Sequence, residues 1–187
     1  MKIHKITSLP HDFMHLISES ESEGFRFVRR FKDEFDSKLN TFDKHGEAFF
    51  AATIDDSLIA IGGVNNWGTD KDKIGRLRRF YVSKAYRNNG VGRRLLDRIE
   101  THAFEHFDTL VLYTEAPEAS NFYLNRGYTG VVAQKVSHQK QKLQQAFIAR
   151  GLAARDQAKS TGQYASKNET MDSLRSILQK ASHDRSR

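Results

Sequence analysis

The sequence predicts an α/β (α+β) fold, a mixed and mostly antiparallel central sheet flanked by helices, followed by a helical C-terminal extension. Three observations predict it. Apolar patterns of strand and helix period alternate through residues 1–136. A glycine-bearing turn at residues 87–92 joins a strand pattern to a helix pattern. From about Ser137 the texture changes to Gln, Lys, Ala and Arg, which places a domain boundary near 136 and a basic extension over 137–187.

The elements follow in order. Residues 2–6 alternate polar and apolar as a short edge strand, which Pro10 closes. Phe13, Leu16 and Ile17 share one face of a helix over 11–21; Gly24 breaks it, and Phe25, Val28, Phe31 and Phe35 recur at helical spacing. Residues 47–54 and 58–64 are strands of a hairpin turned by Asp55-Asp56-Ser57. The polar loop 65–73 carries Trp67, which either covers an acceptor site or caps the core. On the strand 75–83, Leu77, Arg79 and Tyr81 alternate against Arg78, Phe80 and Val82, and Arg76 and Arg78 share a face, modest support for an acidic substrate or a phosphate. Val91, Leu95, Leu96, Ile99 and Ala103 mark a helix over 90–106, and 109–114 is a compact apolar strand. A short helix over 117–126 has Pro117 near its start, and 127–136 is a strand or strand pair. In the extension, Leu143, Phe147, Ile148 and Leu152 form one helical stripe. Ser166 and Glu169 then make a capping box ahead of Met171, Leu174, Ile177, Leu178 and Ala181.

Composition narrows the function classes. The chain has 187 residues, a mean hydropathy of −0.65 and a net charge of +7. Residues 1–134 balance 19 basic against 19 acidic residues, so the excess lies in 135–187, with 11 basic and 4 acidic. With no cysteine, disulfides, zinc–thiolate sites and thiol nucleophiles are excluded. No apolar run nears the roughly 18 residues of a membrane span, and Met1-Lys2-Ile3-His4-Lys5 lacks the apolar stretch of a signal peptide. A cytoplasmic protein without a membrane partner is expected. His102 and His106 stand i, i+4 on one helix, but no third ligand is visible and Glu105 is read as facing elsewhere, so no metal is expected.

The chemistry-bearing stretch is Arg87-Asn88-Asn89-Gly90-Val91-Gly92, because glycines entering a helix let backbone N–H groups and the helix dipole hold a phosphate. It follows Arg79-Phe80-Tyr81-Val82-Ser83 and precedes Leu95-Leu96; some thirty residues on stands Ala119-Ser120-Asn121-Phe122-Tyr123-Leu124-Asn125-Arg126-Gly127-Tyr128. These two stretches, at this separation, resemble the two signatures of the GNAT N-acetyltransferases, and the resemblance covers residues 1–136. It implies a GNAT fold and acetyl-CoA as co-substrate. The pyrophosphate would lie on the amides of Arg87, Asn88, Asn89, Gly90, Val91 and Gly92, with Arg93 or Arg87 pairing a phosphate. The pantetheine arm would pair with the strand near Phe80, Tyr81 and Val82, and the thioester would sit where strands 75–83 and 109–114 part. The Val82 amide would polarise the carbonyl, and Tyr123 would protonate the departing sulfur. Glu115, or more weakly Glu47, is the candidate base for a primary amine on a small molecule or peptide, and Tyr81 is a candidate for the acceptor pocket. One departure is Ala116, where many family members have a pantetheine-contacting Asn.

In the extension, Gly162-Gln163-Tyr164-Ala165-Ser166, followed by Glu169, loosely resembles the helical part of small bacterial antitoxins. That implies an alternative, a toxin-like enzyme acting on aminoacyl-tRNA whose tail meets RNA or protein. A packing or dimerisation arm is the plainer expectation, as monomer or homodimer. A non-catalytic acyl-CoA-binding module is the further alternative.

Overall fold

The apolar run Ala48–Ile54 (β2) is continuous because both its faces are covered, Ala48, Phe50 and Ala52 on one side and Phe49 and Ala51 on the other. A computed structural model of the chain describes residues 1–69, 72–133, 135–142 and 153. The chain divides into two compact units, Met1–Gln145 and Ala146–Arg187. The strands among the described residues all belong to the first.

Around β2 are β1 (Lys2–Ile6), β3 (Ser57–Asn66), β4 (Ile74–Val82), β5 (Thr109–Leu112), β6 (Thr129–Ala133) and β7 (Val136–Gln141). They form one mixed sheet in the order β1-β2-β3-β4-β5-β7-β6, antiparallel except between β4 and β5. Asp55 and Asp56 turn the β2–β3 hairpin at φ +48° and +62°, the left-handed pair that matches strand twist. Helices α1 (Phe13–Ser22) and α2 (Phe27–Asp36) cover one face, packing Leu16, Ile17, Val28 and Phe31 on Phe49, Ile61 and Tyr81. Helices α3 (Val91–His106) and α4 (Pro117–Asn125) cover the other, with Leu95, Leu96 and Ile99 on Phe50, Ile59 and Leu77. No helix among the described residues is long and apolar enough to cross a membrane.

The main difference from the sequence reading is β7. Ser137-His138-Gln139-Lys140-Gln141 reads as the start of the basic extension, yet together with Val136 it is a strand inserted into the sheet between β5 and β6. Its period-2 pattern carries polar residues inward: His138 and Lys140 are only 5% and 3% exposed. The Lys140 ammonium donates to Glu100 Oε2 at 2.8 Å and to the Arg126 carbonyl at 2.9 Å, satisfying a charge that would otherwise be costly to bury. The first unit therefore runs past 136 to Gln145. The helices expected in the extension lie outside the described residues.

Candidate active site

Strands β4 and β5 are parallel neighbours only over Ile74–Arg76 and Thr109–Val111. Beyond Arg76, β4 stays with β3, whereas β5 continues only with β7, through Leu112 and His138. A wedge opens along the second half of β4, where no described strand takes up the β5-facing backbone groups. Ser83 donates its N–H to the Ile59 carbonyl on the β3 side at 2.8 Å. Because amide directions alternate along a strand, the Val82 N–H points into the wedge.

A bulge reorients the side chains beside it. Ile61 pairs with Tyr81 and Gly63 with Arg78, which leaves Arg79 and Phe80 facing Gly62 alone. Arg79 takes φ +59°, a left-handed conformation that disfavours an arginine by about 1–2 kcal/mol. Both oxygens of Glu34 hold its guanidinium there at 2.6 Å. The expected alternation is thus reset: Leu77 faces the α3 core, Arg79 and Tyr81 face α1 and α2, and Phe80 and Val82 return to the α3–α4 side. Half-buried Arg78 stands near Arg79, Arg76 and Arg30; burial first, then Arg79, lowers its pKa. Trp67 meets this cationic group, since the Arg76 guanidinium lies 4.0 Å from its ring centre.

Helix α4 sets Tyr123 between the parted strands, its ring 6.2 Å from Phe80 of β4 and 6.3 Å from His138 of β7. Burial, reinforced by the Glu100 carboxylate, raises the phenol pKa, so Tyr123 stays protonated at neutral pH. His138 is held on both ring nitrogens, by Ser120 Oγ at 3.0 Å and Ser137 Oγ at 2.8 Å, and burial lowers its pKa. Sequence reading missed His138 because β7 was assigned to the extension.

At the open end of the wedge, Gly90 caps α3 at φ +76° with nothing within 4 Å of where a Cβ would stand. Arg94 N–H is the first of the helix to return to it, at 3.1 Å, which leaves the preceding amides of the turn to face an anion. Asn88, Asn89 and Arg93 are exposed beside them. Arg87 behaves otherwise than as a free phosphate ligand. Its guanidinium grips Glu23 at 2.6 and 2.7 Å, donates to the Val82 carbonyl at 2.9 Å and lies over Tyr81. It braces the turn, and Arg93 is the cation left beside the amides.

The carboxylates fall differently from expectation. Glu115 is exposed past the end of β5 and hydrogen-bonded by the Tyr113 hydroxyl. Glu47 is buried and accepts the Asn66 N–H at 2.9 Å, a structural use. Tyr81 is buried, and its hydroxyl donates to Glu23 at 2.6 Å and Glu19 at 3.0 Å. Glu19 also accepts Ser83 Oγ and the Lys84 N–H, at 2.8 and 2.5 Å. Although burial opposes it, these hydrogen bonds hold Glu19 below the usual carboxylate range, and Arg87 does the same for Glu23. Sequence reading singled out neither glutamate, since the partners of both lie some sixty residues away.

The acetyltransferase (GNAT) family model matches residues 11–128, which takes in the wedge, the bulge, the glycine turn and Tyr123. The chain belongs to the GNAT acetyltransferase family. A crystal structure of a protein from Exiguobacterium sp. 255-15, assigned as an acetyltransferase, is 31% identical with a TM-score of 0.71, covering 79% of this chain and 97% of that one. Two structures under 25% identity share the GNAT fold. An aminoglycoside 6'-N-acetyltransferase complexed with coenzyme A has 14% identity, a TM-score of 0.57 and coverage of 75% and 97%. A ribosomal-protein-alanine N-acetyltransferase from Brucella melitensis has 18%, 0.56, and 75% and 99%. Among curated proteins, none matches the chain. Acyl transfer from acetyl-CoA to an amine is general for GNAT acetyltransferases.

Proposed function

We propose that this GNAT acetyltransferase moves the acetyl group of acetyl-CoA directly to the primary amine of an anionic acceptor within a ternary complex. The observation that carries the reading is the wedge, with a β4 edge that no described strand pairs beyond Arg76, Tyr123 beside it and the N-terminal amides of α3 at its mouth. The pyrophosphate lies on the amides of Asn89 to Arg93, and the pantetheine amides pair with β4 near Phe80 and Val82. The amine nitrogen attacks the thioester carbon while the Val82 N–H stabilises the carbonyl oxygen. As the tetrahedral intermediate collapses, the C–S bond breaks and Tyr123 gives its proton to the sulfur. The proton lost by the amine passes through water to Glu115.

The anionic character of the acceptor rests on Arg76, Arg78 and Arg79, close together on the acceptor side of β4. Among the described residues only Arg79 of the three has a carboxylate partner. A carboxylate or phosphate on the amine substrate supplies the missing countercharge.

Thiol release from acetyl-CoA, followed with a thiol reagent over a panel of amines, tests this cleanly because the chain has no cysteine of its own. Turnover with acidic amines that Tyr123→Phe slows, acetyl-CoA binding being retained, supports the reading. Acetyl-CoA binding without turnover on any amine class makes the chain a binding module instead.

A further inference from the structure

We propose that His45, His102, His106 and Glu105 form a zinc site at the C-terminal end of α3, a site with no part in acetyl transfer. His102 and His106 project from successive turns of the helix, and the donor atoms of His102, Glu105 and His106 lie within 4.8 Å of one another. This corrects the reading of Glu105 as facing elsewhere. The further ligand comes from the loop between α2 and β2, beyond the reach of local sequence inspection: the His45 ring centre is 5.1 Å from that of His106, itself 5.0 Å from His102.

The loop comes this close because residue 46 is glycine. Gly46 has φ +78°, and a Cβ there would stand 3.0 Å from both His106 Cβ and Phe107 Cζ. The loop is pinned from its other side by Asn66, whose Nδ2 donates to the His45 carbonyl at 3.1 Å.

A second observation is independent of this clustering. His102 Nε2 is buried without a well-formed hydrogen bond among the described residues, the Gly46 backbone being the polar group that stands by the ring, although a buried imidazole nitrogen ordinarily finds a partner. Three imidazoles and a carboxylate are the nitrogen and oxygen donors that zinc takes in a tetrahedral site; His45 stands outside the 4.8 Å donor cluster and, being exposed, would join it by turning toward the ion. The ion would clip the α2–β2 loop to the helix. Lys5 faces the same region from β1 and works against a cation, which favours the ligand set that includes the Glu105 carboxylate.

The site stands about 20 Å along α3 from the glycine turn, at 1.5 Å per residue, so zinc occupancy and acetyl-CoA binding are separable. The test is calorimetric titration of the tag-free, chelator-treated full-length chain with zinc chloride, alongside cobalt(II) substitution read by its visible absorption. One equivalent is expected to bind, with an intense tetrahedral cobalt spectrum. His45→Gln and His106→Gln should each weaken zinc binding by at least about tenfold, in line with what even outer-shell changes do to metal sites. Glu105→Gln, which removes only a charge at an exposed position, should weaken it to a smaller degree. Exposed His11→Gln should leave it unchanged, and thermal unfolding without zinc checks that each variant is folded. No zinc binding by the wild type, or wild-type affinity in both His45→Gln and His106→Gln, overturns the proposal.

Discussion

Lys140→Met tests the buried pair beneath the candidate active site. The side chains of Lys140 and Glu100 are 4% and 2% exposed, and the ammonium makes the only ion pair to Glu100 among the described residues. Methionine fills much of the lysine's volume, so the loss is chiefly electrostatic, an unpaired carboxylate in the core. Breaking one side of such a pair destabilises by about 3–5 kcal/mol. At roughly 2–4 °C per kcal/mol for a chain of this size, the unfolding midpoint should fall by roughly 6–20 °C. Glu100 already has a raised pKa, burial outweighing Lys140, and losing the ammonium raises it further. A carboxyl whose folded pKa lies above its unfolded one is no burden below the unfolded value, and stability drains as pH rises through the folded value. The deficit of Lys140→Met relative to wild type should therefore shrink as pH falls toward about 4.5 and be largest near neutrality. Calorimetry of wild type, both single variants and Glu100→Gln/Lys140→Met across pH checks this, the double variant recovering most of the loss. A Lys140→Met midpoint equal to wild type at neutral pH, or a deficit that grows on acidification, refutes the reasoning.

Tyr123→Phe should lower kcat by roughly 10²–10⁴-fold with little change in acetyl-CoA affinity, read by steady-state kinetics and calorimetry. Gly90→Ala forces an alanine into the left-handed region, at about 1–2 kcal/mol, and should raise KM for acetyl-CoA several-fold. Gly92→Ala should leave KM within about twofold, because its Cβ meets Val82 and Phe122 no closer than 3.5 Å. Arg78→Gln should reduce kcat/KM for acidic amines by about 10–100-fold, the loss of a charge-assisted hydrogen bond, and leave neutral amines unaffected. A uniform loss across amines would remove Arg78 from acceptor recognition. Glu115→Gln should depress the alkaline plateau of kcat/KM without moving acetyl-CoA affinity; an unchanged pH profile would assign the base elsewhere.

What the sequence made legible was periodicity and punctuation. The hairpin turned by Asp55 and Asp56, the amphipathic α3 and the glycine turn all declare themselves locally, and so did the fold. The bulge at Arg79 did not, because Leu77–Val82 reads as unbroken alternation and nothing local marks where the register shifts. β7 was hidden for the opposite reason. Its inward positions are His138 and Lys140, polar groups that only a partner forty residues away, Glu100, and the hydroxyls of Ser120 and Ser137 make tolerable inside. The same long-range pairing kept Glu19 and Glu23 out of view, and with them the bracing role of Arg87.

Glu19 and Glu23 also tie two ligand sites to one lever. The same pair of carboxylates holds Tyr81, on the acceptor side of β4, and Ser83, Lys84 and Arg87, which carry the cofactor turn. A shift of α1 on one side cannot leave the other in place. Whatever factor an acceptor applies to acetyl-CoA affinity through this helix, acetyl-CoA must return to the acceptor in equal measure, since the coupling free energy is a single quantity. Glu23→Gln, which leaves Glu19 bridging Tyr81 to Ser83 and Lys84, would weaken this lever without removing it, and would lower the coupling by the same factor whichever ligand is bound first.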